Sequence, residues 1–229
     1  QIMNKELRAY FLSPIAYIVI SIFLLVSGWF FFSTFFIYDQ ANMRNFFNLL
    51  PLVFSFIIPA VTMRLFSEEL NLGSYETLLT MPVTLRDVIM GKFLSGVFFV
   101  AALLLPTLSY PLFISVLGDL DWGPVIGGYL GAILMGAAFT AIGVFASALT
   151  RNKIIAFITG MAICFGLTLI DKMLFFFPMS ILDVIHYLGA DYHFQNISKG
   201  IIDSRDILYF ASLGFLGIYG AYMVLQEKK

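Results

Sequence analysis

Charge is scarce in this sequence. Of its 229 residues only 12% are Asp, Glu, Lys or Arg, against 60% that are hydrophobic, and the mean hydropathy is +0.93. A water-solvated globular surface uses about 25% charged residues, so part of the solvent here must be lipid. Net positive charge is lacking as well. The formal charge is −1, which argues against a nucleic-acid-binding surface, where a basic patch is expected. A lone cysteine, Cys164, lies in an apolar run; it can form no intramolecular disulfide and reads as a small buried hydrophobe. Catalytic patterns are missing too: no glycine-rich Walker motif, no HExxH, no CxxC, and no serine-histidine-acid set that could meet at one depth. A membrane-embedded enzyme is therefore disfavoured, and any ATP hydrolysis must come from another chain. Residues 1–229 read as a single membrane domain with no room for a sizeable soluble one.

What is present is an all-α pattern of six apolar runs: Ile15 to Tyr38, Phe46 to Met63, Phe93 to Leu117, Pro124 to Leu149, Ile154 to Ile170 and Ile207 to Leu225. Each can cross about 30 Å of hydrocarbon at about 1.5 Å per helical residue. The first is too long for the apolar core of a signal peptide and reads as a retained span. An even number of spans puts both termini on one side. Lysine and arginine choose the cytoplasm for that side, with Lys5, Arg8, Arg64, Arg86, Lys92, Arg151, Lys153, Lys228 and Lys229 inside against Arg44, Lys172, Lys199 and Arg205 outside. The run interiors carry no Asp, Glu, Lys or Arg, which disfavours a proton- or sodium-coupled carrier and makes a lipid-like cargo or none fit better than an open aqueous channel.

The segment from Asn4 to Leu12 mixes charged and apolar residues at helical spacing before Ser13-Pro14. It reads as a short interfacial helix over residues 1–13, with Pro14 in the first turn of the next helix; the alternative is that the first span extends into the cytoplasm. Pro59, Pro106 and Pro111 predict kinks. Gly127, Gly128, Gly131, Gly136 and Gly143 predict a small-residue stripe on one face of the fourth span, used either for packing within the chain or for a second backbone. The long outer connection, residues 171–206, is apolar through Phe175, Phe176 and Pro178. Exposed to water it would be an aggregation hazard, so a re-entrant helical segment before the sixth span is expected, packed on protein. His186 and His193 are seven residues apart and, with Asp191 near, could suggest a metal site. One ligand short of a closed set, they read better as structural, with no metal expected.

The inner connection, residues 64–92, is the most informative. Gly73 should stop one helix, Ser74 can cap a short second one with Tyr75, Leu78 and Leu79 on one side, and Pro82 should end it. Thr84, with Asp87 three residues on, can cap a third. A short helix with an apolar side, held between two spans on the membrane surface, is a lever; a mere solvated connector would not need that side.

These residues carry a resemblance. The run Glu68-Glu69-x-x-x-Gly73-Ser74-x-Glu76-x-Leu78-Leu79-x-x-Pro82, closing on Gly91-Lys92, is similar to the signature between the second and third spans of type-2 ABC exporter permeases. Lys5-Glu6-Leu7-Arg8-x-Tyr10-Phe11-x-Ser13-Pro14 and the outer Asp191-Tyr192-His193-Phe194-x-Asn196-Ile197 resemble the gliding-motility GldF branch of that family. The resemblance implies a half-transporter of the bacterial cytoplasmic membrane, pairing with a second permease subunit and gripping a cytoplasmic ABC ATPase dimer that holds ATP and Mg; the chain itself would bind no cofactor. Glu68, Glu69, Gly73, Ser74, Glu76, Leu78, Leu79 and Pro82 would contact the ATPase, supported by Lys5, Glu6 and Arg8. Phe175, Phe176, Pro178, Asp191, His193 and Phe194 would form the outer gate or partner segment. The branch adds a GldG-like membrane-anchored partner. The rival reading is a scaffold of a motility or secretion complex that moves no solute.

Overall fold

The computed structural model describes residues 2–38, 42–75, 84–173 and 186–228, and among them every regular element is helical. In chain order these are α1 (Ile2–Leu12), α2 (Pro14–Tyr38), α3 (Arg44–Thr62), α4 (Arg64–Leu72), α5 (Leu85–Leu104), a 3-10 turn (Leu105–Leu108), α6 (Ser109–Leu117), α7 (Trp122–Leu149), α8 (Lys153–Leu169), α9 (Ala190–Ser198) and α10 (Ser204–Glu227). Five stretches among the described residues are long and apolar enough to cross a membrane: Pro14–Ser33, Arg44–Leu72, Leu85–Leu117, Trp122–Leu149 and Ser204–Glu227. The fifth apolar run forms α8, a shorter apolar helix of 17 residues. The protein is a multi-pass membrane protein.

Local chemistry sets the helix ends. Thr84 accepts the Asp87 N–H through its hydroxyl while the Asp87 carboxylate accepts the Thr84 N–H, so the two close a reciprocal cap that satisfies otherwise orphaned donors. Helix α5 consequently starts well before the apolar run does. Asp121, Asn152 and Asp203 cap α7, α8 and α10 in the same side-chain-to-backbone manner. Gly73 ends α4 with φ at 71°, in the left-handed region where a Cβ costs about 1–2 kcal/mol. Pro106 falls in the 3-10 turn that separates α5 from α6, so the third span changes helical type where its proline removes a donor.

Helix α7 is the axis of the fold. It packs against α3, α4, α5, α8, α9 and α10, and Ala132, Met135, Phe139, Ala141 and Val144 are inaccessible along it. Its glycines do not form the single stripe expected from sequence. A Cβ on Gly127 would meet the Ile197 carbonyl of α9 at 2.3 Å, on Gly128 the Phe47 ring of α3, on Gly136 Val100 of α5, and on Gly143 Thr62 of α3. These four admit four different residues, while Gly131 shares Ile197 with Gly127, and all of these neighbours lie within the chain. Helices α2 and α10 are peripheral, with Ile18, Leu25, Trp29, Leu208 and Phe215 exposed on their outer flanks, as lipid-facing surface requires.

Candidate functional site: two charged junctions at opposite ends

One end of the bundle gathers α1, α4, the start of α5, the turn between α7 and α8, and the close of α10, so the described residues begin and end there. Helix α1 is separate from α2, broken at Ser13, and it is seated on protein rather than on lipid alone. Gly91 of α5 lets Ile2 approach, since a Cβ there would lie 2.9 Å from the Ile2 side chain. Tyr10 is buried, its hydroxyl donates to the Val61 carbonyl at 3.4 Å, and the Arg64 guanidinium stands 4.8 Å from its ring centroid. Burial pushes the Tyr10 phenol pKa up, with the Arg64 charge pulling it partly back.

Lys92 of α5 is the centre of this end. Its side chain is 2% exposed, and its ammonium donates to Glu6 of α1 at 3.2 Å, to Glu69 of α4 at 2.8 Å and to the Leu65 carbonyl at 2.6 Å. Three donors find three acceptors, which is the full capacity of an ammonium. Three helices distant in sequence are thereby fixed to one cation. Glu69 Oε2 is left buried without a partner. Beside the junction lies a cavity of about 210 Å³ lined by Lys5, Glu6, Arg64, Glu68, Glu69 and Lys92 among others. Glu68 points outward to Lys153 of α8 at 3.0 Å, with both side chains more than 40% exposed.

The elbow after α4 is anchored as well. Tyr75 is buried and its hydroxyl donates to the Leu225 carbonyl of α10 at 2.9 Å; burial, and then the Glu69 charge, raise its pKa. Ser74 is exposed, its hydroxyl donating to the Glu69 carbonyl at 3.4 Å. Lys228 donates to the Ala148 and Leu149 carbonyls at the end of α7, where partial desolvation, and then Arg151, lower its pKa. Lys5 and Arg8 are exposed on α1. Glu76, Leu78, Leu79 and Pro82 lie outside the described residues.

The opposite end carries a second junction. His193 of α9 is wholly buried, with Nδ1 2.6 Å from Asp206 Oδ1 and Nε2 2.8 Å from the Tyr187 carbonyl. A carbonyl can only accept, so Nε2 carries a proton, and a second proton must then lie between Nδ1 and the carboxylate. The ring also stacks on Tyr209 at 4.0 Å, and the Tyr209 hydroxyl donates to the Leu188 carbonyl. Asp191 is buried, paired with Lys172 at 2.9 Å and accepting from Gln195. Asp191 and Asp206 stand in the first turns of α9 and α10, where the helix dipole favours a carboxylate. His186 faces Asp171 at 3.0 Å. The two histidines thus face different carboxylates instead of converging. Phe194 is buried against Gly131 and Phe47. Phe175, Phe176 and Pro178 lie outside the described residues.

Glu6 and Glu69, expected on the ATPase-facing surface, pair with Lys92 and also line the cavity beside it. Lys92, read from sequence only as the close of the inner connection, is the ion-pair centre of this end, and Asp191, His193 and Phe194, expected in an outer gate or partner segment, are buried in this chain. The one signal for Lys92 was its position next to Gly91 at the mouth of an apolar run.

Comparison with known families matches residues 2–202 to the family described as ABC-2 family transporter protein, and no curated protein matches the chain. The family implies work alongside a cytoplasmic ABC ATPase. With a helical, multi-pass architecture, a match over most of its length and a charged junction that joins its amphipathic first helix to its second and third spans, the chain belongs to the ABC-2 family of transporter membrane proteins, as a permease subunit.

Proposed function

We propose that this permease subunit transmits ATP-driven movement of a separate ATPase dimer through the lip formed by α1 and residues 64–92. The observation that carries the reading is the Lys92 junction. A push received on α1 or α4 reaches α5 directly, because Glu6, Glu69 and Lys92 are one ion-paired unit, and it reaches α10 through Tyr75. The exposed members of the lip, Lys5, Arg8, Glu68 and Ser74, together with Glu76, Leu78, Leu79 and Pro82, would contact the ATPase. In this reading α8 is the fifth of six spans, both termini are cytoplasmic, the membrane is the bacterial inner membrane, and a second permease subunit completes the pathway. ATP and Mg stay on the ATPase, and this chain contributes no catalytic group. The motif resemblance extends the proposal to the gliding-motility branch with its GldG-like partner.

The test is co-expression with the cognate ATPase. Glu68→Lys and Ser74→Trp alter the exposed lip and leave Lys92 paired. They should lower co-purified ATPase and ATP turnover at least tenfold with the melting temperature of the permease unchanged. Association and turnover equal to the native complex in both variants would remove this surface from the interface. ATP turnover that responds to no candidate solute in the intact complex would favour a scaffold.

A further inference from the structure

We propose that the outer flank between α5 and α10 is a binding site for one anionic phospholipid, with its phosphate on Arg86 and an acyl chain in the groove below. A cavity of about 390 Å³ opens there, floored by the buried Ile89 and walled by Met90, Phe215 and Tyr219, with Arg86 and Tyr222 at its mouth. It faces outward from two helices that are long and apolar enough to span a membrane, and Phe215 on its wall is 67% exposed. Hydrocarbon is therefore its natural solvent. From Tyr222 down to Phe215 the groove follows seven residues of α10, about 10 Å of depth, which suits a chain entering from the headgroup level.

Arg86 supplies the charge complementarity. Its guanidinium lies 5.4 Å from the Tyr222 ring centroid, held over an aromatic face, and it makes no ion pair among the described residues. The adjacent carboxylate, Asp87, is committed to the Thr84 cap. A cation presented at the mouth of an apolar groove, with tyrosines at headgroup depth, matches a phosphate whose acyl chain descends alongside. A choline headgroup would bring a second cation beside the Arg86 guanidinium, so the site should favour phosphatidylglycerol over phosphatidylcholine. This goes beyond the coupling reading and does not depend on it: Arg86, Ile89 and Met90 belong to the same inner segment, but the groove contains none of the residues assigned to contact the ATPase.

The experiment is native mass spectrometry of the purified full-length chain, delipidated in detergent and titrated with phosphatidylglycerol or phosphatidylcholine. Native protein should retain one phosphatidylglycerol in preference to phosphatidylcholine. Arg86→Gln, at an exposed position, should weaken phosphatidylglycerol retention about tenfold, Arg86→Lys should restore most of it, and Ile218→Trp, at a further residue lining the groove, should fill it and weaken both lipids. Retention of phosphatidylglycerol by Arg86→Gln equal to native overturns the proposal. So does a disulfide between two copies carrying Tyr219→Cys, which would show a second copy seated on the groove; Cys164 is buried and does not compete for that bond.

Discussion

The two charged junctions differ in how they are wired. At the end built around Lys92, the pairs join residues far apart in the chain: Lys92 to Glu6 across 86 positions, Tyr75 to Leu225 across 150 and Lys228 to Ala148 across 80. At the opposite end all the principal pairs fall within residues 171–209, with His193 to Asp206 only 13 apart and Tyr209 to Leu188 only 21. The first junction ties separate helices into one body. The second closes a single stretch of chain on itself. A force applied at the first would be shared by α1, α4, α5 and α10, whereas the second is a local clasp that holds α9 over α7.

Substitutions can break this contrast. Lys92→Met leaves Glu6 and Glu69 facing each other with no cation and should cost about 3–5 kcal/mol, read as a fall in melting temperature of the purified protein. Hydrogen exchange should then rise in α1, α4 and α5 together. Adding Glu6→Gln and Glu69→Gln should restore most of the loss; a triple variant as unstable as the single one would show that packing, not charge, holds the hub. At the other end, His193→Phe strands the buried Asp206 carboxylate and should cost about 3 kcal/mol, with exchange rising only within residues 171–209. Spread of that effect to α1 or α4 would erase the distinction between the two ends.

Asp206→Asn should be much milder, below about 1.5 kcal/mol by denaturant titration. An amide N–H can donate to His193 Nδ1 while Nε2 still donates to the Tyr187 carbonyl. Gly127→Ala presses a methyl on the Ile197 carbonyl, a backbone atom that cannot turn away, and should cost about 1–3 kcal/mol. Gly166→Ala meets nothing within 4 Å and should be neutral or slightly stabilising in the same assay. Smallest of all, Lys153→Ala removes an exposed pair with Glu68 and should change stability by about 0–1 kcal/mol, an effect that vanishes in high salt.

Much of the architecture was legible because lipid imposes a simple rule: the apolar runs had to be helices, since backbone groups in hydrocarbon must be satisfied internally. Gly73 as a stop, Thr84 with Asp87 as a start, and Ser13 as the break after α1 each follow from backbone chemistry within a few residues. What escaped was non-local. A lysine beside a loop looks solvated until the chain folds two carboxylates and a carbonyl around it, and no pattern in the sequence couples position 92 to positions 6 and 69. The run boundaries were drawn where hydropathy fell, but α3 continues through Met63 into α4, and α5 begins at Leu85. Helices persist beyond the apolar stretch when other protein rather than lipid covers them. The glycines of α7 misled for a related reason: spacing along one helix does not reveal which of six neighbours each position meets.

That last feature has a consequence for descent. Because Gly127, Gly128, Gly136 and Gly143 each admit a different partner atom, at Ile197, Phe47, Val100 and Thr62, the fit around α7 is a set of separate bargains between pairs of residues. Sequence drift should therefore proceed pair by pair: where a relative carries alanine or serine at one of these positions, its facing residue should be smaller, while the other three pairs stay as they are.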